Sequence, residues 1–359
     1  AWDYAIGFPI KTCNTTGAIV TAVSLVLAFG LALLKIICKL KDFFNIISAL
    51  FRSLILVLVL SINWVIRLDP MCSAAALVQV LLRKCSGYSG RQNDVLFTGM
   101  PGPVHLNVVY FGGDIQDLEE HMKLHAEGRQ FLNWSLESTA RCLHQRFSTT
   151  QQNAHIWVVR PATWISKVFA SYSNLLDVDP QGNPLFNSGR IAKAQTLRHI
   201  SSLLETAAAR LRADGIVPDL FGPPMAFVGF SKGANVLTAS IYELACTEHP
   251  SQPGFVTSKL QSLYWLDSGH SAIKEQWPVN EDYLGRLNRE TCPKVFAYAT
   301  PYQVMDPIRP WKSLDFDSFI TLLSKYQLPS QHAILFSDTD PAKHRDLQLH
   351  FSILNHFPV

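Results

Sequence analysis

Met225-Ala226-Phe227-Val228-Gly229-Phe230-Ser231-Lys232-Gly233-Ala234-Asn235-Val236-Leu237-Thr238-Ala239-Ser240-Ile241-Tyr242 is the stretch on which the reading of this chain turns. Its first four residues are an apolar run of the kind that fills a strand buried on both faces. Gly229 and Gly233 flank a central Ser at a sharp turn, and from Ala234 the apolar spacing is that of a helix. Strand, Gly-flanked Ser and helix together form the pattern of a nucleophile elbow. Each residue type has a physical reason there. Ser231 must project its hydroxyl above the sheet edge, so it sits on a strained turn. Small residues two before and two after it let the helix pack closely against the strand. The helix N-terminus then aims backbone N–H groups at the point where charge develops on an acyl oxygen. The same pattern also serves as a plain strand-to-helix turn without chemistry, so the rest of the chain has to supply partners for Ser231.

Outward from the elbow, strands and helices alternate. Upstream, Val104 to Phe111 reads as a strand running into Gly112-Gly113-Asp114, Leu136 to Phe147 as a helix, and His155 to Val159 as a buried strand. Residues 160–190 hold Pro161, Pro180 and Pro184 among several aromatics and read as a loop or lid. Ile191 to Arg212 has the pattern of a long amphipathic helix. Downstream, Leu260 to Leu266 is a strand ending in Asp267-Ser268-Gly269-His270. Val295 to Ala299 is another, ending in Thr300-Pro301-Tyr302-Gln303-Val304-Met305-Asp306-Pro307. A helix from Phe316 to Tyr326 and a last strand around His332 to Phe336 follow. This alternation predicts an α/β fold with a doubly wound, mostly parallel sheet.

Composition narrows the function classes. The chain has 359 residues and a formal charge of +3, which gives nucleic-acid binding no support. Seven Cys are scattered without a Cys-x-x-Cys pair, so neither a disulfide framework nor a zinc site is signalled. Hydrophobic content of 48% against 16% charged residues is high, and the excess lies at the N-terminus. The uncharged run from Gly17 to Leu34 is a transmembrane-helix candidate, and Phe43 to Ile66, interrupted by Arg52, is a weaker one. The first Met is Met71, so residues 1–70 read equally as an apolar membrane anchor or as a gene-model artefact. Residues 71–94 join a short apolar segment to Arg83, Lys84 and Arg91, with several Ser and no acid before Asp94. That is the character of a mitochondrial targeting segment, with a secretory signal as the competing reading. The globular domain is then expected over 95–359.

Functional groups in such sheets gather at the C-terminal strand ends. In chain order these ends offer Gly112 and Gly113, Ser231, Asp267 with His270, Asp306 and a C-terminal His. Ser, then acid, then His is the order of the α/β-hydrolase triad. A His near its working pH serves as the base, and a buried carboxylate fixes its tautomer. Asp306, after the second strand beyond the elbow, is the favoured acid, and Asp267 the alternative. His350 is the expected base, with His344 and His356 behind it, and His270 a supporting partner of Asp267. Gly112, Gly113 and the N–H of Lys232 are the expected oxyanion donors. The Lys232 side chain has two readings, attraction of an anionic substrate or simple reach into solvent.

Gly229 to Gly233, Tyr264-Trp265-Leu266-Asp267-Ser268-Gly269-His270 and Thr300 to Pro307 together resemble one eukaryotic family. It is the family of mitochondrial, serine-hydrolase-like proteins whose human member carries an open-reading-frame designation of chromosome two. Tyr110-Phe111-Gly112-Gly113-Asp114-Ile115-Gln116 and Asn133-Trp134-Ser135-Leu136-Glu137 carry the same resemblance, which extends over about residues 104–357. It implies an α/β-hydrolase-type fold, residence in mitochondria and support of respiratory function. A His-Phe pair in the family's closing motif maps onto His350-Phe351. Ser268 departs from the family's Asp-Gly-Gly-His. The expected function is therefore hydrolysis of an ester or thioester without metal or organic cofactor, acting on a small-molecule or acyl substrate. The alternative is an inactive hydrolase fold kept as a binding or assembly module for a protein partner.

Overall fold

The structure is a computed structural model that describes residues 24–28, 76–149, 152–186, 191, 194–246, 254–268 and 274–359. The chain divides into two compact units, Ala1–Ala74 and Ala75–Val359. In the first, residues 24–28 are helical. The second apolar run and the remainder of the first lie outside the described residues, as does the whole start of the targeting segment. Among the described residues no helix is long and apolar enough to cross a membrane.

The second unit is built on a sheet of eight strands. In chain order these are β1 (Val78–Ser86), β2 (Gln92–Gly99), β3 (Val104–Phe111) and β4 (Asn153–Val159), then β5 (Met225–Phe230), β6 (Leu260–Leu266), β7 (Lys294–Ala299) and β8 (Ser330–Ile334). Their spatial order is β1-β2-β4-β3-β5-β6-β7-β8. Only β2 runs against its neighbours, pairing antiparallel with both β1 and β4. The β3–β4, β3–β5, β5–β6, β6–β7 and β7–β8 pairs are all parallel. This is the sheet of the α/β-hydrolase fold.

Alternation along the strands sends side chains to two separate cores. Val109, Phe111, Trp157, Phe227 and Trp265 face one core, packed under α2 (Thr196–Ala213), α3 (Ala234–Ala245) and α4 (Trp311–Lys325). Val108, Tyr110, Ile156, Val228 and Tyr264 face the other, under α1 (Leu136–Phe147) and α5 (Leu347–His356). α1 starts where Ser135 caps it, its hydroxyl accepting the Ser138 N–H at 3.2 Å. α3 carries buried residues almost all round, from Ala234 to Tyr242. Such a helix is held by burial rather than by an amphipathic stripe.

One boundary departs from expectation. The globular unit does not begin near Val95, because β1 and the start of β2 already belong to the sheet. β1 pairs with β2 along its length, Val78 opposite Gly99 and Ser86 opposite Gln92. Leu82 and Cys85 are buried in the first core. Of the basic residues that gave this stretch its targeting character, Arg83 and Lys84 are exposed on an edge strand. Arg83 pairs with Asp94 and Glu120 there. Arg91 instead lies in the turn before β2 and donates to the carbonyls of Asn174 and Ala194.

Candidate active site

Ser231 stands at the C-terminal end of β5, in a tight turn over Ser231–Gly233 that leads into α3. Its φ of +53° lies in the left-handed region, which costs a non-Gly residue strain and marks functional turns. The packing explains the glycines around it. A Cβ on Gly233 would lie 2.5 Å from the Gly112 carbonyl oxygen and inside that of Phe111. A Cβ on Gly229 would lie 2.6 Å from Ala234 Cα. One on Gly113 would sit 2.6 Å from Ser231 Cβ and 3.1 Å from its Oγ. The Gly112-Gly113 turn therefore presses directly against the Ser231 side chain. Ser231 is 1% exposed, and its Oγ has no hydrogen-bond partner among the described residues.

His350 enters from α5 with its ring sandwiched by two aromatics, Phe230 at 4.5 Å and Tyr302 at 4.9 Å between centroids. Phe230 is the residue before Ser231, so His350 packs against the last strand residue of the elbow. The Nδ1 of His350 lies 2.8 Å from Asp267 Oδ2. Asp267, fully buried, turns the chain at the end of β6 with a φ of +48°. Its carboxylate accepts the Thr300 N–H at 2.5 Å and the Thr300 hydroxyl at 2.6 Å, from the end of β7. These donors favour the ionised form, but burial outweighs them and pushes the Asp267 carboxyl up to about 7. Burial, aided by the positive charges of Lys312 and Arg309, holds the His350 imidazole well below its usual range. A resting pair of carboxylate and neutral imidazole follows above neutral pH.

The acid beside His350 is thus Asp267, not the favoured Asp306. Asp306 lies past the short helix Pro301–Val304. Its carboxylate accepts the Ile308 N–H at 3.0 Å and the Arg309 Nε–H at 2.6 Å. The Asp-Pro turn uses it locally. His344 and His356 are also engaged locally, with the carbonyls of Thr339 and Ser352. His270 lies outside the described residues.

The oxyanion expectations divide. Gly113 lies against Ser231, yet its N–H already donates to Gln116 Oε1 at 2.9 Å. Gln116 is held in turn: its Oε1 also accepts from Tyr110 Oη at 2.7 Å, and its Nε2 donates to the Trp134 carbonyl at 2.8 Å. Lys232 does not reach into solvent, being 5% exposed. Its charge acts on Asp114, whose buried carboxyl burial raises to about 6 against that attraction. Of the expected lid over residues 160–190, the part from Thr163 to Tyr172 contacts this site, and residues 187–190 lie outside the described residues. A hairpin of Thr163–Ile165 with Phe169–Ser171 grips the glycine turn. Its contacts are Ile115 N–H to Val168 O at 2.7 Å, Ala170 N–H to Asp114 Oδ1 at 2.8 Å and Tyr172 Oη to Gly112 O at 2.9 Å. Thr300, Gln303 and Gln116 also belong to the site, and all three lie inside the motifs quoted above, which is the sequence signal that marks them. Lys312 lies in no motif, and no sequence signal points to it.

A strained, buried Ser after a central strand of this sheet, with a His paired to a buried Asp packed on the residue before it, defines the class: an α/β-hydrolase-fold protein. Comparison with known proteins gives the family. The C2orf69 family model matches residues 81–217 and 217–329. The match starts inside β1 and stops before α5. The zebrafish (Danio rerio) mitochondrial protein C2orf69 homolog is 31% identical over 261 residues, covering 70% of this chain and 73% of its own. The human mitochondrial protein C2orf69 is 27% identical over 305 residues, covering 72% and 74%. The chain belongs to the C2orf69 family and, like these relatives, is mitochondrial. Among solved structures it is similar to the esterase Est22, with a TM-score of 0.40, 14% identity and coverage of 79% of this chain and 76% of that one. A carboxyl esterase 2 from Tuber melanosporum gives a TM-score of 0.40 at 11% identity, covering 79% and 86%.

Proposed function

We propose that this protein is a serine hydrolase acting on an ester, thioester or similar acyl bond, and that it supports respiratory function in the mitochondrion. The observation that carries the reading is the Asp267–His350 hydrogen bond, buried against Phe230, the residue before Ser231, whose hydroxyl has no partner among the described residues. In the reaction, Ser231 Oγ attacks the acyl carbon while His350 Nε2 takes its proton. The proton then passes to the leaving oxygen or sulfur as the tetrahedral intermediate collapses to an acyl-enzyme. Water, activated by the same imidazole, releases the acid. Asp267 holds Nδ1–H and stabilises the imidazolium as it forms. Lys232 N–H, at the start of the turn after Ser231, and the Gly112-Gly113 turn face the developing oxyanion. Gly113 contributes only once its N–H leaves Gln116.

The Ser231–His350 hydrogen bond is not formed in this structure, and catalytic contacts of this kind often close only with substrate bound. The same fact, with the occupied Gly113 N–H, favours the second reading, a hydrolase fold kept as a binding module. Turnover of p-nitrophenyl and thioester substrates by wild type and Ser231→Ala separates the two. Turnover abolished in the variant supports the hydrolase, and equal residual rates in both proteins sink it.

A further inference from the structure

A buried ammonium stands behind the Asp267–His350 pair, unused by the scheme above. Lys312, in the first turn of α4, is 1% exposed. Burying a charged ammonium costs several kcal/mol unless it is well paired. Its Nζ donates to Gln303 Oε1 at 2.7 Å, and Gln303 Nε2 donates to the main-chain carbonyl of Asp267 at 2.9 Å. One fully buried amide therefore links the ammonium to the backbone of the acid. A second route runs through Tyr302, whose ring lies 5.9 Å from Lys312 Nζ and stacks on His350 at 4.9 Å. The other charged groups here are Asp306, with Oδ2 at 3.9 Å from Nζ, and Arg309, which takes that same oxygen at 2.6 Å. Asp306 is thus already paired with the guanidinium, and the ammonium is turned toward Gln303 and the acid–base pair.

We propose that Lys312 is a positioning residue for the acid–base pair. Through Gln303 it fixes the chain that carries Asp267, and it sets a constant positive charge behind Asp267 and His350. That charge favours carboxylate at Asp267 and neutral imidazole at His350, the state from which His350 can take the Ser231 proton. The role deepens the hydrolase reading and rests on it. The direction of both titrations agrees: Lys312 lowers the imidazole and opposes the upward push of burial on the carboxyl. Burial brings the ammonium itself down to about 8, so the device acts up to mildly alkaline pH.

The test uses the full chain as wild type, Lys312→Met, Lys312→Arg and Gln303→Met. The His350 ring titration is followed by nitrogen-15 NMR, and the rate of fluorophosphonate labelling is followed against pH. In Lys312→Met the His350 titration moves to higher pH, and labelling on the acid side of its pH limb slows by about tenfold for each pKa unit of that move. Lys312→Arg returns both toward wild type. Gln303→Met slows labelling but moves the titration less, because the charge remains. A folded Lys312→Met with an unmoved His350 titration overturns the proposal. If Lys312→Met does not fold, unchanged labelling in Gln303→Met overturns it. Absence of labelling in wild type defeats the hydrolase reading alone, since the NMR titration still reports whether Lys312 acts on His350.

Discussion

At the scale of residues, two aspartates compete for one histidine, and their surroundings separate them. Asp267 is sealed between the ends of β6 and β7 with Thr300 as donor, whereas Asp306 is consumed by Ile308 N–H and Arg309. Asp267→Asn is therefore expected to lower kcat by about 10⁴-fold, since an amide cannot hold the productive imidazole tautomer. Asp306→Asn should stay within about tenfold of wild type. Equal losses in steady-state assays of the two variants would contradict the assignment. The pH dependence follows from the same burial. With the Asp267 carboxyl raised to about 7 and the imidazole depressed, the active charge state of the pair is lost as pH falls through neutrality. The profile of kcat/KM should carry its acid limb near pH 7. Stability shifts with the opposite sense. A carboxyl raised on folding contributes stability that is present below its unfolded value of 3.8 and is lost as pH rises to about 7,. The melting temperature of Asp267→Asn relative to wild type should consequently be more favourable at pH 8 than at pH 5.

At the scale of elements, the elbow depends on backbone proximity. Gly233→Ala drives a Cβ into the carbonyls of Phe111 and Gly112, which are main-chain atoms of β3 and its turn and cannot yield as a side-chain tip could. A loss of about 3 kcal/mol or more is expected by denaturant titration, and a loss below about 1 kcal/mol would show that the strands can part. Most of this element level was legible in the sequence. β3, β6 and α1 occupy the residues their patterns predict, because buried strands and a capped amphipathic helix carry strong local signals. The acid differs from the one strand order favours because two strand ends offer an Asp, and strand order alone does not say which carboxylate a local N–H or guanidinium will capture. Gln116 acts within its own motif, on Tyr110 and Gly113, whereas Lys312 reaches Gln303 from the following helix, where no motif marks it.

At the scale of the whole molecule, the sheet begins earlier than composition implies. β1 reads as a targeting segment because its outward residues are basic, and the antiparallel register with β2 is not visible in a single strand. A protein beginning at Ala75 should fold with a cooperative thermal transition. One beginning at Val95, lacking β1 and the start of β2, should be insoluble or molten, with an uncovered β2 edge. Cooperative unfolding of the shorter protein would mean that β1 is dispensable.

The central claim, that Ser231 is an activated nucleophile, is tested most directly by fluorophosphonate labelling of the folded full chain, wild type beside Ser231→Ala. Labelling requires the nucleophile, base and oxyanion donors to act together. The account predicts one covalent adduct per wild-type chain, mapped to Ser231 by mass spectrometry and absent in the variant. A wild type that unfolds cooperatively yet takes no label, or that is labelled equally in the variant, would contradict it.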